Sequence, residues 1–212
     1  MTTARPSVWL WPTLVFATGL LLSGVTARRW ADHNDAYVRN EFTSRAERLD
    51  KFLMERMRTY EYGLRGMRGA VLTAGDNLNL NKVRVYAASR DLDAEFPGAR
   101  GYGFIRRIDS SQKAWLQTKM ASERGRSVTI REMTPHDGTL AVIEYVEPEE
   151  RNRPAIGLDI ASESRRWNAA SLAARLGKAQ LTAPITLVQA TGEAHQAFLF
   201  LLPVYRPGMP TS

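Results

Sequence analysis

The sequence predicts an α+β fold led by a long N-terminal helix. A charge-free apolar stretch opens the chain, a long proline-free amphipathic stretch follows, and short helical and extended segments then alternate, with the strands gathered late. Late strands favour an antiparallel or mixed sheet over a doubly wound parallel one. Three regions follow: an N-terminal tail and anchor over residues 1–30, a stalk helix over 31–72, and a mixed domain over 73–212. With 212 residues, 44% of them apolar, the chain has enough material for a packed core.

Val8 to Val25 (VWLWPTLVFATGLLLSGV) carries no charged residue over about 18 positions, the short end of what spans a bilayer. Trp9 and Trp11 stand where an interfacial aromatic belt lies; Arg5 precedes the stretch, and Arg28, Arg29 and Trp30 follow it. Thr26-Ala27-Arg28 is a poor cleavage site, so the segment reads as an uncleaved transmembrane helix rather than a signal peptide. Arg5 and the free amine on one side, against Arg28, Arg29 and Arg39 on the other, favour the main domain inside.

From Ala31 to about Val71 no proline occurs, and apolar residues recur at Phe42, Ala46, Leu49, Leu53, Met57, Tyr60, Leu64, Met67 and Val71. These steps of three and four are heptad-like, with one stutter. Arg45, Glu47, Arg48, Asp50, Lys51, Glu55, Arg56 and Arg58 form the solvated face between them. Such a helix rises about 60 Å. Its seam packs on its own domain, or on a second copy in a homodimer.

Leu80 to Leu92 reads as a helix that ends before Phe96-Pro97-Gly98. Gly101–Ile108 reads as a strand, and Asp109-Ser110-Ser111 caps a helix through about Arg124. Ser127–Met133 and Leu140–Val146 are further strands, the latter ended by Glu147-Pro148. Ala161-Ser162-Glu163-Ser164 starts a helix that Gly177 closes. Ala179–Thr182 and Ile185–Gln189 are extended, and Gln196–Tyr205 reads as the strongest strand. The chain stops just past that strand, which suggests a truncated domain.

Composition narrows the function. The net charge is +7, yet the basic residues stand singly or in pairs such as Arg106-Arg107 and Arg165-Arg166, with no run of five. Nucleic acid is therefore not the expected partner. With no cysteine, disulfides, thiolate zinc sites and cysteine nucleophiles are excluded. His33, His136 and His195 show no metal-ligand spacing, so no metal is expected. Gly101-Tyr102-Gly103 has Arg106 where a dinucleotide loop needs its third glycine, and neither G-x-S-x-G nor a P-loop occurs. Catalytic residues are not expected, nor is a cofactor.

Several ordered segments resemble the CHASE domains, extracellular sensory domains of bacterial receptor kinases and cyclases and of plant cytokinin receptors. They are Phe96-Pro97-Gly98 with Gly101-Tyr102-Gly103-Phe104; Val142-Ile143-Glu144-Tyr145-Val146-Glu147-Pro148; Asn152 with Gly157-Leu158-Asp159; Ser162-Glu163-Ser164-Arg165; Gly177-Lys178-Ala179 with Leu181-Thr182-Ala183-Pro184; and Pro203-Val204-Tyr205-Arg206. The resemblance covers about Val71 to Arg206. It implies a PAS-like sheet with flanking helices, an extracytoplasmic domain in the inner membrane (against the charge count above), and an output module beyond this chain.

Carried over residue by residue, the resemblance implies that Asp137 and Thr182 bind the ligand. The first matches the aspartate that receives hydrogen bonds in cytokinin-binding members, and the second matches the threonine of their L-T-x-P segment. Ala141 and Glu144 depart from the plant pattern, which puts cytokinin in doubt. Read without the resemblance, Asp137-Gly138 is a turn pair and Thr182 a β-branched strand residue. The sequence thus points to a small-molecule sensor in a transmembrane receptor, with a ligand-free dimerisation domain as the alternative.

Overall fold

The computed structural model describes residues 10–187, 196–206 and 208. The chain divides into two compact units, one up to Glu55 and one from Arg56 onward. A single helix, α1 (Leu10–Ala74), supplies the described part of the first unit and enters the second.

From Ala31 to Glu55 the helix forms as its proline-free sequence predicts. The seam there lies open: Phe42 is 73%, Leu49 58% and Leu53 52% exposed. Arg45 pairs with Glu41 one turn back at 2.7 Å, a surface contact of little energetic weight.

The expected membrane span lies only partly within α1. Residues 10–27 are helical and uncharged, but no helix among the described residues is long and apolar enough to cross a membrane. Val8 and Trp9, where the expected span begins, lie outside the described residues.

The second unit is the α+β part. The end of α1 buries Met67 and Val71 and passes through a 3-10 turn into α2 (Leu80–Ala88). Asn79 caps α2 by accepting from the Lys82 amide at 3.0 Å. The predicted helix over 80–92 is broken by a turn after Ala88, where the Ser89 hydroxyl donates to the Tyr86 carbonyl; a short α3 (Leu92–Glu95) follows.

A four-stranded sheet forms the centre, ordered β1-β3-β4-β2. Here β1 is Tyr102–Ile108, β2 Arg131–Glu132, β3 Leu140–Glu147 and β4 Leu158–Asp159. β1 and β4 flank β3 antiparallel, while β2 and β4 run parallel. The register of β1 on β3 shifts between Phe104 and Ile105: Phe104 faces Tyr145 and Ile105 faces Ile143, so Glu144 is the extra residue of a bulge. The predicted strand over 127–133 is reduced to two residues, because only Arg131 and Glu132 meet the equally short β4.

α4 (Lys113–Arg124) buries Leu116 and Met120, one turn apart, against Ile108, Leu140 and Val142. Its entry follows the predicted capping signal, with the Gln112 side chain accepting from the Asp109 amide at 3.2 Å. A second apolar cluster joins Met67, Val71, Leu78, Leu80 and Val83 to Tyr145. A short α5 (Glu149–Asn152) follows β3.

α6 (Ser164–Leu176) starts on the Glu163 carboxylate and ends at Gly177, whose φ of 65° suits glycine. Beyond it runs a two-stranded ribbon: β5 (Gln180–Leu181) pairs with β8 (Phe200–Leu201), and β6 (Ile185–Thr186) with β7 (Gln196–Ala197). The long strand predicted over 196–205 is thus two short ones. Pro203 has no amide to donate, and the Tyr205 hydroxyl instead donates to the Ala174 carbonyl of α6 at 2.6 Å.

Candidate functional site

β3 carries a different polar arrangement at each end and in its middle. At its start, Asp159 of β4 is fully buried. One carboxylate oxygen accepts from the Ala141 amide at 2.7 Å and the Ala161 amide at 2.9 Å. The other lies 2.6 Å from His136 Nε2. Asp159 therefore holds together β3, the turn after β4 and the loop that leads into β3.

The bulge governs the middle. Glu144, also fully buried, takes Arg106 Nε at 2.5 Å and Lys119 Nζ at 2.6 Å. The Lys119 ammonium reaches on to the Tyr145 hydroxyl at 2.5 Å, and that hydroxyl donates to Glu123 at 2.9 Å. Arg124 donates to the Glu144 carbonyl at 2.7 Å. Burial, then the Glu144 and Glu123 carboxylates, push the Tyr145 phenol well above its ordinary value.

At the end of β3, Glu149 collects Arg126 at 2.9 Å and both Arg84 and Arg124 at 3.3 Å. Burial opposes its ionisation, but the Arg126 hydrogen bond and the Arg124 and Arg84 charges together hold the carboxyl below the usual range. Beside it opens a cavity of about 730 Å³, lined in part by Arg84, Arg90, Tyr102, Glu147 and Arg151. The Tyr102 hydroxyl is buried without a hydrogen-bond partner among the described residues, and burial pushes its pKa up to about 12. A smaller cavity of about 230 Å³ lies beside Arg126, Val128 and Arg153.

Of the two residues expected to bind ligand, Asp137 lies on an exposed turn with Gly138 behind it at a φ of 106°. Thr182 is buried in the ribbon, where its hydroxyl accepts from the Leu199 amide at 3.0 Å. Neither lines either cavity. Sequence reasoning missed the two salt-bridged clusters. An acid between Ile143 and Tyr145 in an otherwise apolar strand was a usable signal, because a buried carboxylate requires cations. The His136–Asp159 pair spans 23 positions and left no local signal.

Taken together, these features define an α+β module carried on a long helix, its interior crossed by ion-paired clusters. The CHASE domain family model matches residues 76–212. The chain belongs to the CHASE domain family, whose members are sensory domains of receptors. No curated protein matches the chain.

Proposed function

We propose that this chain is the extracytoplasmic sensing region of a transmembrane receptor, with a PAS-like core that binds a small molecule and signals through α1 to an output module. The observation that carries this reading is the family match over 76–212.

Asp137 and Thr182 are the proposed ligand contacts. Among the described residues the Asp137 carboxylate has no partner, and the Thr182 hydroxyl, which accepts the Leu199 amide, has no acceptor for its proton. A carboxylate and a hydroxyl suit a ligand that presents both donors and acceptors. The test is a thermal-shift screen of the 212-residue chain against amphipathic metabolites. A ligand at a hundred times its dissociation constant adds about 2.7 kcal/mol of stability. We expect a hit that Asp137→Ala abolishes. A hit lost instead in Arg151→Ala would move the site to the cavity beside Tyr102, and no hit at all would remove the ligand from the reading.

The open seam of α1 supports a homodimer formed through that helix. Replacing both Leu49 and Leu53 by glutamate is expected to halve the mass measured by light scattering. An unchanged mass would place the dimer contact elsewhere, and a monomeric parent would rule it out.

A further inference from the structure

The loop that presents Asp137 is held by its neighbour. His136 Nε2 lies 2.6 Å from Asp159 Oδ2 and Nδ1 lies 3.4 Å from the Asp137 carbonyl oxygen. A carbonyl only accepts, and an ionised carboxylate only accepts. A neutral imidazole has a single N–H and satisfies one of the two, whereas the imidazolium satisfies both.

We infer that His136, as an imidazolium, is the positioning residue for Asp137: it bridges Asp159 to the Asp137 carbonyl and fixes the turn in acid, and its deprotonation frees the turn. The inference rests on the ligand reading of Asp137 given above only for its functional meaning. The bridge itself stands on geometry.

The anchor is firm. Asp159 is fully buried and already fixed by the Ala141 and Ala161 amides, so the mobile partner is the loop. The other charges facing this loop are few. Glu132 on β2 pairs with Lys113 of α4 at 2.7 Å. Asp137 is on the turn itself. Arg166 of α6 touches Met133 at 3.1 Å and is paired with Glu163 at 3.1 Å. Of these groups, Asp159 is the acid in contact with the ring.

The direction agrees. The Asp159 hydrogen bond raises the His136 pKa; burial opposes this, and the Asp137 carbonyl and the Asp159 and Glu132 charges add to it. A group raised in the folded state contributes its full stabilisation below the unfolded value, about 6.5, and loses it as pH rises through the folded value. The turn is therefore tightest in acid and loosens toward alkaline pH, with the change centred above 6.5. Ligand reception through Asp137 becomes proton-linked, because the carboxylate is presented in one geometry only while the bridge holds.

The experiment is an NMR pH titration of the 212-residue chain labelled at histidine and glycine. His136→Gln assigns the ring among the three histidines. We expect the His136 ring to titrate above the same ring in the urea-unfolded chain. The Gly138 amide should move with the same midpoint and lose that movement in His136→Gln. Asp159→Asn, where it folds, should return the ring midpoint toward the unfolded value. A ring midpoint equal to that of the unfolded chain, or a Gly138 amide indifferent to it, overturns the inference. No ligand is needed for either readout. A failed ligand screen with an intact titration removes Asp137 as a contact and leaves the bridge, while the converse leaves the receptor reading without proton linkage.

Discussion

Replacing Glu144 with alanine should lower the free energy of unfolding by about 3–5 kcal/mol, the usual cost of stranding buried charge. Arg106 and Lys119, 22% and 21% exposed, would both lose the carboxylate that neutralises them. The Lys119 ammonium would still lie against the Tyr145 hydroxyl and Glu123, so the loss falls mainly on Arg106 and on the void left beneath the bulge. Urea unfolding of the parent and the variant measures this directly. A loss under about 1 kcal/mol, the range of surface pairs, would mean that water reaches the cluster and that the bulge does not depend on it.

Gly103→Ala should be as damaging for a different reason. A Cβ at this position would overlap the Tyr145 carbonyl oxygen, and the carbonyl carbon and the Val146 Cα lie 2.7 Å from it. These are backbone atoms of the paired strand and cannot rotate aside as a side chain does. β1 would have to separate from β3 beside the bulge, in the longest pairing of the sheet. A loss of more than about 3 kcal/mol is expected, seen as a fall in the urea midpoint or as failure to recover folded protein. Gly69→Ala, on the face of α1 where a Cβ meets nothing within 4 Å, is the matched control and should be close to neutral or slightly stabilising. Equal behaviour of the two variants would show that β1 adjusts freely around Gly103.

Both predictions depend on a feature that local sequence does not encode. The strand at 140–147, the α4 helix with its Asp109 entry, and the α6 helix closed by Gly177 were legible, because each carries its own periodicity and its own punctuation. Register was not. Counting alternate residues along 140–147 does not reveal that Glu144 and Tyr145 both turn toward Lys119, since the extra residue of a bulge is set by the partner strand. The failure over 196–205 has a related cause. Apolar residues made the segment look like a central strand, yet its partners β5 and β6 are two residues long each, and a strand extends only as far as its neighbour. At the candidate site, Asp137 was legible as a turn residue and through the family motif. The ring that holds its turn was not, because His136 finds its carboxylate across the sheet.

The aromatic residues beside β1 limit how α1 could be displaced along its axis. The Tyr102 ring lies edge-on to Tyr86 and to Phe96, at centroid distances of 6.1 and 6.5 Å. Those two rings rest on the glycines of the helix: a Cβ at Gly63 would come within 2.5 Å of Phe96, and one at Gly66 would strike the Tyr86 hydroxyl. Tyr60, one turn before, donates its hydroxyl to the Pro97 carbonyl at 2.6 Å. The helix is thus gripped where its side chains are missing, which makes the contact a detent. A screw step of one residue, about 1.5 Å along and 100° around the axis, would swing Tyr62 or Leu64 under Phe96 and force the ring out. An axial displacement of α1 of that size would therefore require Phe96 or Tyr86 to leave its place over the glycines.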